Sequence, residues 1–185
     1  RTSNRHDYAL APFSKTALDS LKDAGLDVIG VGKIPDIFVD QGITRKIKTV
    51  SNEDGMNKTI ELASDNFNGL AFINLVDFDA VYGHRRNAAG YLKAIEEFDV
   101  QLGELINELK EDDLLIVTAD HGNDPTYRGT DHTREQVPLI IYSKQFNEMK
   151  VLNDGDSFGI IGSTICDNFN VKYNGIGSSI LKLLK

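Results

Sequence analysis

Three of the four histidines of this chain lie beside carboxylates in three short stretches: Asp79-Ala80-Val81-Tyr82-Gly83-His84, Asp120-His121-Gly122-Asn123 and His132-Thr133-Arg134-Glu135. Imidazole and carboxylate without thiolate form a ligand set suited to a divalent cation in a hydrolytic or phosphoryl-transfer site. Two such cations about 4 Å apart clamp the attacking and leaving oxygens of a phosphoryl group and neutralise charge that one lysine could not. An isolated Asp-His pair is more often a satisfied surface pair, and Asp-x4-His alone is equally weak. Their co-occurrence behind two apolar runs, with His132 in a loop rich in Gly, Asp and Thr, points to a binuclear metal site.

The apolar runs are the elements that must position these ligands. Leu114-Leu115-Ile116-Val117-Thr118-Ala119 reads as a buried strand ending at Asp120 and His121, and Leu70-Ala71-Phe72-Ile73-Asn74-Leu75-Val76 as a second strand ending just before Asp79. Ligands at the C-terminal ends of such strands sit where open α/β sheets place their sites, so the two strands are expected to deliver Asp79 and Asp120 to one edge of one sheet. Around them, strand and helix signals alternate. A helix is expected over 15–24, capped by Ser14 and stopped by Gly25, leading into a strand over 26–31. Further helices are expected near 52–64 and 87–110. In the second, Leu92, Ile95, Phe98, Leu102, Leu105, Ile106 and Leu109 form a stripe to bury, with Glu96, Glu97, Glu104 and Glu108 as a solvated face. Val137 to Tyr142 reads as another strand with Pro138 near its start. Helices over 158–169 and 178–184 complete an α/β fold with a mostly parallel sheet and helices on both faces.

At the ligand stretches the chain resembles a known family. Thr118-Ala119-Asp120-His121-Gly122-Asn123, with His132-Thr133-Arg134-Glu135 and Val137-Pro138-Leu139, is similar to the C-terminal metal motif of the alkaline phosphatase superfamily, in the branch of the phosphopentomutases and cofactor-independent phosphoglycerate mutases. Arg1-Thr2-Ser3-Asn4-Arg5-His6-Asp7-Tyr8-Ala9, Gly32-Lys33-Ile34-Pro35-Asp36-Ile37-Phe38 and Val76-Asp77-Phe78-Asp79-Ala80-Val81-Tyr82-Gly83-His84-Arg85-Arg86 favour phosphopentomutase. The resemblance implies one metal on Asp79, His84 and His132, and a second on Asp120 and His121 together with an aspartate that has no counterpart here. It implies two manganese ions, with magnesium or zinc as alternatives, and a sugar bisphosphate activator. The substrate would be a pentose phosphate whose 1- and 5-phosphates are interconverted through a phosphothreonine, as in nucleoside catabolism. Arg1 and Arg5, each able to grip a sugar phosphate through two parallel bonds, are candidate substrate contacts. The nucleophilic threonine is expected upstream, which makes the missing N-terminal part of the same enzyme a partner. The chain then reads as an alkaline-phosphatase-like core lacking its N-terminal part and most of the cap domain, with residues 1–12 the end of the cap and hinge and 13–185 the C-terminal part of the metal-binding core. A related phosphatase, a phosphoglycerate mutase or a catalytically inactive metal-binding fragment are the alternatives.

Composition narrows the classes further. The 185 residues, 41% hydrophobic, suffice for one core. A formal charge of -8 and a pI near 4.9, with no Lys/Arg stripe, argue against a nucleic-acid partner. Cys166 is the single cysteine, so no internal disulfide forms, and its isoleucine-rich setting suggests a buried thiol rather than a nucleophile. No apolar run reaches transmembrane length, no membrane partner is expected, and a cytoplasmic location is the default. Gly30-Val31-Gly32 follows a strand, but it lacks the third glycine of a dinucleotide fingerprint and Pro35 intrudes, so Gly32 to Phe38 is read as a turn.

Overall fold

The computed structural model describes residues 9–184, so Arg1, Arg5 and His6 lie outside the described residues. The chain folds into two compact units. One comprises residues up to Lys48, Phe67–Asn74 and residues from Glu148 onward; the other comprises Thr49–Asn66 and Leu75–Asn147. In order, the elements are α1 (Ala17–Asp23), β1 (Asp27–Val31), α2 (Ile34–Ile37), β2 (Arg45–Ile47), α3 (Asn52–Ser64), β3 (Gly69–Ile73), a π-helical turn (Phe78–Gly83), α4 (Ala88–Glu108), β4 (Leu115–Thr118), β5 (Leu139–Tyr142), α5 (Gly159–Asn168) and a closing 3-10 turn (Leu181–Leu183). The class is α/β.

The first unit is built on a parallel sheet of order β2-β1-β3, in which Ile29 lies opposite Arg45 on one side and Ala71 on the other. As the central strand, β1 buries four consecutive residues, which is why it reads as an unbroken apolar run rather than an alternating one. Leu18 and Leu21 of α1, Val28, Ile34, Ile43 and Cys166 form its core. Burial pushes the Cys166 thiol above its ordinary pKa, as expected of a packing residue. The cap of α1 is Thr16 rather than Ser14: Asp19 stands three residues beyond Thr16 and completes a reciprocal capping box that Ser14, with Ala17 at that distance, cannot make. Gly25, with φ of 80°, follows the helix as anticipated. Gly32 to Phe38 contains the short helix α2, started by Pro35 in its first turn, instead of a simple turn.

In the second unit α3 packs on α4, joined by the Gln101 carboxamide, which donates to Asn57 Oδ1 at 3.0 Å. The face α4 turns inward carries Tyr91, Ala94, Phe98, Gln101 and Leu105, spaced alternately by three and four residues. It is rotated from the expected stripe, because Phe78 of the π-helical turn packs obliquely on Tyr91 and edge-on to Phe98 at centroid distances of 5.7 and 6.0 Å and α3 claims Gln101. Leu92 and Ile95 are accordingly exposed, at 58% and 44%. The glutamates Glu96, Glu97, Glu104 and Glu108 are exposed as the pattern required. β4 and β5 pair antiparallel, Thr118 opposite Leu139, with Pro138 excluded from the ladder. β3 and β4 therefore belong to different ladders, and Asp79 and Asp120 are not delivered by neighbouring strands of one sheet.

Gly69 pairs with Asp27, and a Cβ there would lie 2.0 Å from the Asp27 carbonyl oxygen, whereas one at Gly103 on α4 would meet nothing within 4 Å. Gly69→Ala is expected to destabilise the protein by about 2 kcal/mol or more, and Gly103→Ala to stabilise it by about 0.5–1 kcal/mol. Urea unfolding of the two variants checks the contrast.

Candidate metal centre

Asp79 lies in the π-helical turn, and the turn explains the spacing Asp-x4-His. In an α-helix five residues advance by about 500°, which would leave the side chains of residues 79 and 84 about 140° apart. Here the His84 amide donates to the Asp79 carbonyl at 3.0 Å, an i→i+5 bond that brings the two residues over one another. His84 Nε2 stands 3.2 Å from Asp79 Oδ1, and His132 Nε2 stands 3.3 Å from the same oxygen. The His121 ring stacks on His132 with centroids 3.7 Å apart, and the His84 ring lies 4.8 Å from His132. Donor atoms of Asp79, His121 and His132 lie within 4.8 Å of one another.

The two distances from imidazole nitrogen to Asp79 Oδ1 fit a shared cation. Donors bound at about 2.0–2.2 Å to one ion stand roughly 3.0–3.5 Å apart at octahedral or tetrahedral angles. The hydrogen bonding fits as well. The Thr130 carbonyl lies 2.6 Å from His84 Nδ1 and can only accept, so Nδ1 donates to it and Nε2 is the nitrogen that faces the Asp79 carboxylate. A carbonyl that holds an imidazole through its other ring nitrogen in this way is a common support for a metal-ligating histidine.

Of the five ligands anticipated from sequence, Asp79, His84, His121 and His132 are gathered together. Asp120 stands at the margin, its carboxylate 72% exposed and 3.6 Å from His121 Nε2. The division into two ligand groups is less sharp than the resemblance implied, because His121 stacks on the Asp79 group as well as adjoining Asp120.

Several participants were not singled out from sequence. Asn123, 7% exposed, donates from Nδ2 to Asp79 Oδ1 at 2.7 Å and accepts from Arg86 at 2.8 Å. Gly83 must lack a side chain, since a Cβ there would come within 2.5 Å of that amide. Thr133 accepts from the Asp124 amide and donates to Glu135, folding the segment after Asn123 back onto the stretch after His132, where Gly122 and Thr133 make an antiparallel bridge. A cavity of about 250 Å³ opens beside the ligands, with Tyr91, His121, Asn123 and Glu135 in its wall. Burial, and then the negative charges of Asp79 and Glu135, push the Tyr91 phenol above its ordinary value, so it remains a hydrogen-bond donor beside the site. No short-range pattern marked Tyr91 or Arg86, because their roles depend on segments distant in sequence.

Residues 1–173 match the family model of the Metalloenzyme superfamily.

Two outcomes follow from the geometry. Calorimetric titration with manganese should show one ion bound markedly more tightly than a second, because Asp79 is faced by two imidazoles while Asp120 is exposed; two equally tight sites, or no binding, would contradict this. In the metal-free protein, absorbance titration of the phenols should show a late-ionising tyrosine that is lost in Tyr91→Phe. The unfolded chain releases that proton near its ordinary pKa of 10.0 and the folded chain later, so Tyr91 should make stability fall as pH rises past that value.

Proposed function

Because this chain belongs to the Metalloenzyme superfamily, we propose that its site serves as the metal centre of a phosphopentomutase, interconverting the 1- and 5-phosphates of ribose or deoxyribose. The observation that carries the reading is the convergence of Nε2 of His84 and Nε2 of His132 on one oxygen of Asp79, with His121 stacked alongside. Support for the choice within the family comes from Val76 to Arg86, with Arg1 to Ala9 and Gly32 to Phe38.

On this reading Asp79, His84 and His132 hold one divalent ion, and Asp120 and His121 contribute to a second. Oxygen and imidazole donors suit manganese, and zinc is accommodated by the same set. When bound, the ions offset negative charge on the phosphoryl oxygens and lower the pKa of a hydroxyl nucleophile. The chain's own groups orient that chemistry. Asn123 directs the Asp79 carboxylate, and the Thr130 carbonyl, accepting from His84 Nδ1, turns Nε2 towards Asp79. Tyr91, retaining its proton, offers a donor to an anionic substrate oxygen in the cavity. Of the threonines near the ligands, Thr118 ends β4 and Thr130 lies in the loop before His132, and we treat both as structural. We assign the phosphoryl-carrying threonine to the family's nucleophile segment, and substrate contact to Arg1 and Arg5.

No helix among the described residues is long and apolar enough to cross a membrane. A cytoplasmic site of action, a pentose phosphate substrate and a sugar bisphosphate activator complete the proposal.

The test is turnover by the enzyme that joins these residues to the nucleophile segment. With manganese and a sugar bisphosphate it should interconvert ribose 1- and 5-phosphates, and His132→Ala should lower turnover at least about a hundredfold with the fold intact, since His132 lies in a loop. Preference for phosphoglycerate or aryl phosphates would overturn the assignment, and near-normal activity of His132→Ala at saturating manganese would remove His132 from the site.

A further inference from the structure

Arg86 is the residue on which the separate parts of this site meet. Its backbone is left-handed, with φ of 51°, an uncommon conformation for a non-glycine residue, and its amide donates to the Gly83 carbonyl at 3.0 Å. From that position the guanidinium is surrounded by acceptors. One terminal nitrogen donates to Asn123 Oδ1 and to the Asp124 carbonyl, both at 2.8 Å, with the Gly83 carbonyl at 3.2 Å. The other donates to the Asp131 carbonyl at 2.6 Å, and Nε donates to the Gly129 carbonyl.

We infer that Arg86 is a positioning residue that sets the orientation of the Asp79, His84 and His132 donors at once, through two arms of its guanidinium. One arm passes through Asn123. Because Arg86 donates to Oδ1, the carboxamide must present its N–H to Asp79 Oδ1, the oxygen that both imidazoles face. The other arm grips the carbonyls of Gly129 and Asp131 on either side of Thr130. That grip holds the Thr130 carbonyl 2.6 Å from His84 Nδ1, which selects the His84 tautomer, and it anchors the residue immediately before His132. Lysine would keep the charge, but a single ammonium cannot span carbonyls on opposite sides of a planar fork. With four of its five N–H groups directed at carbonyl and amide oxygens of the site's own segments, Arg86 acts on the donors of the site.

The inference rests on the reading of Asp79, His84 and His132 as metal ligands, and the experiment separates the two. Long-range ¹⁵N–¹H NMR of the metal-free protein reads the His84 tautomer without any metal. The wild type should show the proton on Nδ1, and Arg86→Lys should shift His84 towards the Nε2-protonated form. Manganese affinity, read by calorimetry, should fall tenfold to a hundredfold in the same variant. Asn123→Ala cuts only the first arm, so it should weaken manganese binding while leaving the His84 tautomer unchanged; this variant tests that arm where lysine is not tolerated at position 86. An Arg86→Lys protein with the wild-type His84 tautomer and wild-type affinity would overturn the inference, as would an Asn123→Ala protein with undiminished affinity. Failure of the wild type to bind manganese would defeat the metal reading, and the tautomer shift would still decide the role of Arg86.

Discussion

The site depends on the opposition at Asp79 Oδ1. Two imidazole nitrogens stand 3.2 and 3.3 Å from that carboxylate oxygen, and the other ring nitrogen of His84 donates to the Thr130 carbonyl. A divalent cation among them would find a ready coordination sphere. Holding the three groups in this arrangement falls to the rest of the unit. The π-helical turn, the bridge between Gly122 and Thr133 and the Arg86 clamp supply that support. The tilted and edge-on packing of Phe78 against Tyr91 and Phe98 ties the turn to the long helix α4, so the segment carrying Asp79 and His84 is braced by packed aromatic surface as well as by hydrogen bonds.

Much of this was legible from residue types. The helix over 52–64 appears as expected, and the apolar runs near 26–31 and 70–76 became β1 and β3, because periodicity and length are local properties. Imidazole and carboxylate types nominated the ligands, and four of the five nominated residues come together. What failed was information held elsewhere in the chain. The buried face of α4 is chosen by Phe78 and α3, so Leu92 and Ile95, apolar and correctly spaced, are left exposed. The alignment of β4 is chosen by its partner β5, and a buried-type run looks the same whether that partner is parallel or antiparallel.

The polar support of the site was hidden for a related reason. Arg86 and Asn123 are ordinary surface types, and their significance arises only when residues 83–86 meet residues 123–131. The left-handed backbone at Arg86 and the close approach of Asn123 to Gly83 are the local signs of that meeting, and neither is visible before folding. The π-helical turn is intermediate: the spacing Asp-x4-His is unsuited to one face of an α-helix, and that mismatch is itself a sequence signal for a non-α turn.

The central claim is that Asp79 Oδ1 is the hub of a divalent-cation site. Anomalous diffraction from crystals grown with manganese tests it most directly. An ion bonded to Asp79 Oδ1 and to Nε2 of both His84 and His132, with the Asn123 hydrogen bond to Asp79 retained, is the expected result. Manganese bound only at other carboxylates, with Asp79 left uncoordinated, would contradict it.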